Sequence, residues 1–289
     1  MTSIKDVARE VSLSTATVSR ALRGLRGVSD ENRTKVAEAA QRLGYVPSPS
    51  AVGLASGQTR MVAVIVPHVT RWFFGEVVQG AEEVLRAAGY DLLLYNLAGE
   101  PAARHRVFQT GLLSKRVDAV LVLGLRPTAQ EQAMLAQLGR PVAIVGAAAT
   151  DLYSVSIDDE LAARIATSHL VDLGHRRIGY IGGSLDTLDY VAPSARLAGY
   201  RAVLRERGIR HYRELEDVGE FTVAGGGAAA GRLLAMPEPP TAIFAASDEM
   251  AVGVLRAARV LGLAVPGDLS VVGVDDYELA EFFDLTTVA

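Results

Sequence analysis

Residues 4–24 read IKDVAREVSLSTATVSRALRG and residues 28–48 read VSDENRTKVAEAAQRLGYVPS. Each amphipathic run in this stretch opens on a serine whose hydroxyl can accept from the unpaired amides of a first helical turn. Ser3, with Asp6 three residues on, has the pattern of a capping box; Ser14 opens a second helix and Ser29 a third that runs to Gly44. Ile4, Val7, Ala8 and Val11 recur at helical spacing, as do Val18, Ala21 and Leu22, then Val36, Ala39, Ala40 and Leu43. Three such faces can share one small core. Ser14 to Arg20 surrounds Val18 with small polar residues and is followed by Arg23. Small hydroxyls and methyls fit against base edges in a major groove, and arginines reach phosphate or guanine. The arrangement has the form of a helix-turn-helix over about Ser3 to Leu43.

The net charge of −4 taken alone argues against nucleic acid. The charge is segregated, however: the first 60 residues hold nine basic and five acidic side chains, the remainder 20 basic and 28 acidic. Only this basic head is suited to phosphates. The 289 residues exceed one domain of about 100–200 residues, so two or three packed units are expected. There is no cysteine, which excludes a disulfide framework or a thiolate metal site. MTSIKDVARE carries charges where a secretory leader needs an apolar core, and no run approaches the roughly 18 apolar residues of a membrane span. A cytoplasmic location without membrane association is expected.

Between Tyr45 and Thr59 prolines, glycines and serines replace the helical pattern and mark a linker. From Met61 onward, buried-strand runs alternate with amphipathic helices: MVAVIV, a helix over about 73–88, YDLLLY, a helix to Lys115, VDAVLVL, a further helix, then PVAIV. A second series opens with SVSI and continues through a helix over 160–173, RIGYIGG, helices over 194–207 and 223–235, TAIFAA, a helix over 248–261 and LSVVGV. Repeated crossovers of this kind predict an α/β fold with parallel sheets covered on both faces. Two doubly wound halves place a cleft at the carboxyl ends of their strands, where a small ligand fits. The expected division is a helix-turn-helix domain over 1–46, a hinge over 47–60 and a core over 61–289, with lobes of about 61–147 and 148–289.

The two N-terminal stretches resemble the DNA-binding domain of the lactose-repressor (LacI) family of bacterial transcription regulators. The resemblance extends through VAVIVPHVTRWFFGEVVQGAEEVLRAAGYDLLLYN (62–96), LGHRRIGYIGG (173–183), RLAGYRAVL (196–204), PPTAIFAASDEMAVGVLRA (239–257) and VPGDLSVVGVDD (265–276), similar to that family's periplasmic-binding-protein-like core. It implies a sequence-specific repressor that binds a pseudo-palindromic double-stranded DNA operator as a homodimer. A small effector between the core lobes would modulate its affinity. No cofactor is implied. The family normally continues through a further crossover beyond the position of Ala289, so a C-terminally incomplete chain is expected.

By the same resemblance, Thr15 and Ala16 lie where the recognition helix reads bases. Thr17, Ser19 and Arg20 take phosphate- and base-contacting positions beside the capping Ser14, Arg23 adds a phosphate contact, and Leu54 matches the hinge leucine that wedges into the minor groove. Ser48, Pro49, Val52 and Gly53 depart from the family's hinge pattern, and Gly lowers helicity by up to about 1 kcal/mol relative to Ala, which favours a hinge helix formed only on DNA. For the ligand, the resemblance points to His68, Trp72, Phe73, Phe74, Arg196, Phe221, Asp248 and Asp275. Aromatic faces for the apolar side of a ring and charged groups for hydroxyls make a sugar the leading class. Trp72 stands where the family usually has Pro and Arg71 where it often has Asn, so a different or more anionic ligand stays open. Phe73 and Phe74 could equally pack their helix on the sheet, and Asp248 could cap the helix it begins.

Other functions fit less well. Gly225, Gly226, Gly227 and Gly231 have a dinucleotide-loop spacing but no long apolar strand before them. His169 lies on a helical pattern and His175 at that helix's cationic end, and no GxSxG, HExxH or Walker loop occurs. A sugar-binding protein for transport would need an export signal. No enzymatic activity is expected.

Overall fold

In the computed structural model, residues 2–46, 58–109, 111–114, 116–147, 152–184 and 192–289 are described. The chain divides into two compact units, Met1–Arg60 and Met61–Ala289.

The first unit holds α1 (Ile4–Glu10), α2 (Thr15–Leu22) and α3 (Asp30–Arg42). Their helical-spaced residues Val7, Ala8, Val18, Ala21, Val36, Ala39 and Ala40 bury together, as the amphipathic pattern requires. The starts are built from side chains. Asp6 Oδ2 accepts from Ser3 N–H at 3.0 Å, Ser14 Oγ accepts from Thr17 N–H at 3.1 Å, and Ser29 Oγ accepts from Asn32 N–H at 3.3 Å. Each satisfies an amide that the helix leaves unpaired.

The second unit is two all-parallel sheets. The first lobe runs β1 (Met61–Val66), α4 (Trp72–Ala87), β2 (Asp91–Asn96), α5 (Pro101–Gln109), β3 (Ala119–Leu123), α6 (Ala129–Gln137), β4 (Val142–Val145) and β5 (Tyr153–Val155). Its strand order is β2-β1-β3-β4-β5. After α7 (Asp159–Asp172) the second lobe adds β6 (Ile178–Gly182), α8 (Ala192–Glu206), β7 (Glu216–Val218), α9 (Val223–Leu234), β8 (Ala242–Ala245), α10 (Asp248–Val260), β9 (Ser270–Val274), α11 (Leu279–Phe282) and β10 (Thr286–Val288). Its order is β10-β9-β8-β6-β7. Val62 to Val66 are all buried, because a parallel strand between helical layers is apolar on both faces.

Two expectations are corrected. SVSI does not open the second lobe: β5 pairs in parallel with β4, Ala143 opposite Tyr153 and Val145 opposite Val155, so the chain crosses over after that strand. Tyr153 and Val155 are exposed, and an edge strand this short carries no buried pattern to assign it to a sheet. Helix α5 ends at Gln109, short of Lys115, and Gly111 beyond it takes φ +63°. That left-handed conformation suits glycine and stops a helix.

The glycine cluster has a packing role. A methyl on Gly226 would overlap the Met250 carbonyl oxygen and stand 2.7 Å from Met250 Cα, and one on Gly227 would stand 3.1 Å from the Gly253 carbonyl oxygen. These glycines let α9 and α10 approach backbone to backbone, inside a helix opened by Thr222 rather than in a phosphate loop.

Candidate functional site

Two sites emerge, one in each unit. On α2 the side chains of Ser14, Thr15, Ala16 and Arg20 are exposed, those of Thr17, Ser19 and Arg23 are half-buried, and Val18 anchors the helix in the core. Ser14 Oγ lies 2.8 Å from Thr17 Oγ1 as well as capping Thr17 N–H, so both hydroxyls are engaged in holding the helix start. Thr15, Ala16 and Arg20 form the open face. Arg33 Nη2 donates to the Leu25 carbonyl at 2.6 Å and ties the segment after α2 to α3. Leu54 lies outside the described residues.

The second unit encloses a cavity of about 470 Å³ between its lobes. One wall comes from the turn after β1 and the first turn of α4: His68, Arg71, Trp72, Phe73 and Phe74. The opposite wall is polar and comes from the strand ends and helix starts of the second lobe: Asp159, Arg196, Glu220, Phe221, Ser247, Glu249 and Asp275. Seven of the eight residues expected from the sequence line this cavity. Phe74 is almost fully buried, in a cluster with Val64, Val66 and Leu123, and serves chiefly as packing, whereas Phe73 is 39% exposed.

Asp248 is the exception. It is 1% exposed and outside the lining; its carboxylate accepts from Tyr277 N–H at 2.9 Å and from Thr287 Oγ1 at 2.6 Å. Nor does it cap α10, since Ser247 is the N-cap and accepts from Met250 N–H at 3.2 Å. Standing one residue inside the helix, Asp248 turns its carboxylate to the segment after β9 and fixes it. That segment needs fixing: Asp275 and Asp276 take φ +127° and +49°, and across the cavity wall Glu220 and Phe221 take +53° and +52°. Each such non-glycine residue costs on the order of 1–3 kcal/mol and persists only where its surroundings impose it.

Arg196 organises the polar wall. Its Nε donates to Asp159 Oδ1 at 2.8 Å, Nη1 donates to the Ala246 carbonyl, and Nη1 lies 3.6 Å from Asp275 Oδ1. At the rim Trp72 stacks on Tyr277, ring centres 4.5 Å apart and planes at 24°. Trp72 N–H donates to Glu249 Oε2 at 3.3 Å, and Arg71 Nη1 lies 4.0 Å from Glu249 Oε1. Asp159, Glu249 and Tyr277 escaped the sequence reading. Glu249 lies inside the quoted run 239–257 and Asp159 just after SVSI, but only the folded lobes show what they face.

Burial sets the ionisation here. It pushes Asp275 up to about 7, the nearby Arg196 guanidinium offsetting only part of the effect, and it raises Asp248 and Glu249 as well. Burial and then Arg71 lower His68, favouring its neutral form. For Asp275 the folded chain keeps its proton from pH 3.8 to about 7 while the unfolded chain loses it. The folded state then binds more protons, so this group's contribution to stability falls as pH rises through that window. Asp275→Asn should flatten the decline: thermal melts should show the variant gaining on the wild type between pH 5 and pH 8. A parallel pH dependence in both proteins would contradict the assignment.

Residues 3–48 match bacterial regulatory proteins of the lacI family, and residues 167–289 match a periplasmic binding protein-like domain. The HTH-type transcriptional repressor CytR of Escherichia coli (strain K12) is 37% identical over 99% of this chain and 84% of its own length. The chain belongs to the LacI family. The lac repressor dimer bound to operator and the anti-inducer ONPF superposes with a TM-score of 0.85 at 28% identity, covering 99% of this chain and 86% of that one. A complex of the regulator CelR with cellobiose gives 0.69 at 31% identity, covering 99% and 87%. The LacI-family assignment explains the pairing of a three-helix head with two parallel-sheet lobes, and makes the chain a DNA-binding transcription regulator. Among the described residues no helix is long and apolar enough to cross a membrane.

Proposed function

We propose that this LacI-family regulator is a cytoplasmic repressor, not an enzyme, whose homodimer grips a pseudo-palindromic operator through α2 and whose operator affinity is set by a sugar-class effector in the core cavity. The observation that carries the reading is the pairing of an exposed Thr15–Ala16–Arg20 face on a basic head with a lined cavity between two lobes. A cavity of this volume and mixed lining suits a small hydroxylated ring: aromatic side chains of the first lobe cover its apolar face, and Arg196, Asp275 and Asp159 meet its hydroxyls. Among the relatives, one structure carries cellobiose and another is bound to operator. In the proposed division, residues 1–46 read DNA, 47–60 form the hinge with Leu54 as its minor-groove wedge, and 61–289 bind effector and pair.

Effector and DNA communicate through lobe closure. A ligand shifts operator affinity only by as much as its affinity differs between the two lobe arrangements. Thermal melts against a panel of neutral sugars should single out one that raises the melting temperature, with the shift lost in Arg196→Lys; identical melts throughout the panel would sink the sugar-class effector. On the head, Thr15→Ala should relax base preference and Arg20→Ala should weaken binding by about 1–3 kcal/mol, read by titrating labelled duplexes.

A further inference from the structure

The chain crosses between the lobes after β5, at one edge of the first sheet. Trp72 follows β1, three strands along that sheet from β5, or roughly 14 Å at the usual strand spacing. Contacts made that far from the crossover have leverage on the angle between the lobes, and the rim carries a group of them. The Trp72 ring of the first lobe stacks on the Tyr277 ring of the second, centres 4.5 Å apart. The Trp72 backbone N–H donates to Glu249 Oε2 at 3.3 Å, and Arg71 Nη1 lies 4.0 Å from Glu249 Oε1. Both second-lobe partners are held in place. Glu249 stands in the first turn of α10, while Tyr277 follows the left-handed pair Asp275 and Asp276 and donates its N–H to Asp248 at 2.9 Å. Asp248 is 1% exposed and also accepts from Thr287 Oγ1, so this buried carboxylate aims Tyr277 at the first lobe.

From this geometry we infer that Tyr277 and Glu249 are positioning residues: they clasp Trp72 across the rim and hold the two lobes together in the ligand-free chain. An incoming ligand then meets a cavity whose Trp72 wall is already in place. A stacked aromatic pair shifts an equilibrium by about threefold to tenfold, enough to bias two lobe arrangements without locking either. The partly exposed Arg71–Glu249 pair adds less. The consequence for regulation rests on the reading of the cavity as the effector site. Apparent affinity scales with the fraction of chains in the competent arrangement. Loosening the clasp therefore weakens any ligand that needs closed lobes, although Tyr277 itself lies outside the cavity lining.

The composition supplies two clean reporters: Trp72 is the sole tryptophan, and the chain has no cysteine. A spin-label pair introduced through Glu83→Cys on α4 and Arg256→Cys on α10, both exposed, reports the separation of the lobes. Labelled chain diluted into unlabelled chain, without DNA or ligand, should give one dominant distance. Tyr277→Ala should add a longer distance and lower the closed-to-open ratio by about threefold to tenfold. Glu249→Ala should move the ratio the same way, and the two together should leave most chains open. Tyr277→Phe keeps the stack and should retain the wild-type distribution. Trp72 emission should shift to the red and become more open to acrylamide quenching in Tyr277→Ala, but not in Tyr277→Phe. A wild type that is mostly open, a folded double variant with unchanged distances, or a Tyr277→Phe that opens like the alanine would overturn the inference. The effector reading fails separately: a cavity that binds no sugar would sink that reading while the distances still show the clasp.

Discussion

Arg196→Met should lower the free energy of unfolding by about 3–5 kcal/mol, the cost of leaving a buried ionic cluster without one partner. Arg196 is 5% exposed, and three acceptors depend on it: the Asp159 carboxylate at 2.8 Å, the Ala246 carbonyl and the Asp275 carboxylate at 3.6 Å. Methionine fills much of the volume but donates nothing, so the remaining groups must take up protons or water. Asp275 already holds its proton up to about pH 7. The loss should therefore be smaller at pH 5 than at pH 8, where Asp275 gives up its proton. Urea unfolding at the two pH values measures it; a loss under about 1 kcal/mol at pH 8 would mean that the cluster behaves like a solvated surface pair.

Gly253→Ala should destabilise by about 3 kcal/mol, although alanine in a helix is ordinarily favoured over glycine by about 1 kcal/mol. Its new methyl would overlap the Val223 carbonyl oxygen and stand 2.5 Å from Gly227 N, both backbone atoms of α9. No side-chain rotation relieves that contact; α9 and α10 must separate, and with them the Met250, Ala251 and Val254 packing of the second-lobe core. Gly231→Ala on α9, where nothing lies within 4 Å of a new methyl, is the control and should be neutral or stabilising. Equal effects at the two positions would show that helix propensity, not close approach, governs the cluster.

These two positions also mark where the sequence was legible. The three-helix head could be read because serine starts and apolar spacing are local signals, and Val18 and Ala21 bury where the spacing put them. Most strand runs of the core were equally plain, since a strand covered on both faces must be continuously apolar, but the three-residue edge strands β7 and β10 carry no such run and were not read. Assignment to a lobe failed only at β5, three exposed residues long. At the cavity, His68 and Arg196 follow from the family's motifs, but the side chains that complete it do not. Glu249 meets Trp72 across 177 residues of chain, and the Trp72–Tyr277 stack exists only where the lobes face each other. Asp248 shows the same limit at shorter range: a helix start fixes a residue's position but not where its carboxylate turns.

Regulated DNA recognition stands or falls on a direct titration. The chain is first used to select duplexes from random sequence, and the enriched site is titrated at several salt concentrations, with and without the sugar that stabilises the core. Sequence-selective binding whose affinity falls steeply with salt is expected, together with a shift in affinity on adding the sugar that disappears in Arg196→Lys. Binding that is indifferent to sequence, or selective binding that no cavity ligand alters, would contradict a repressor governed by its core.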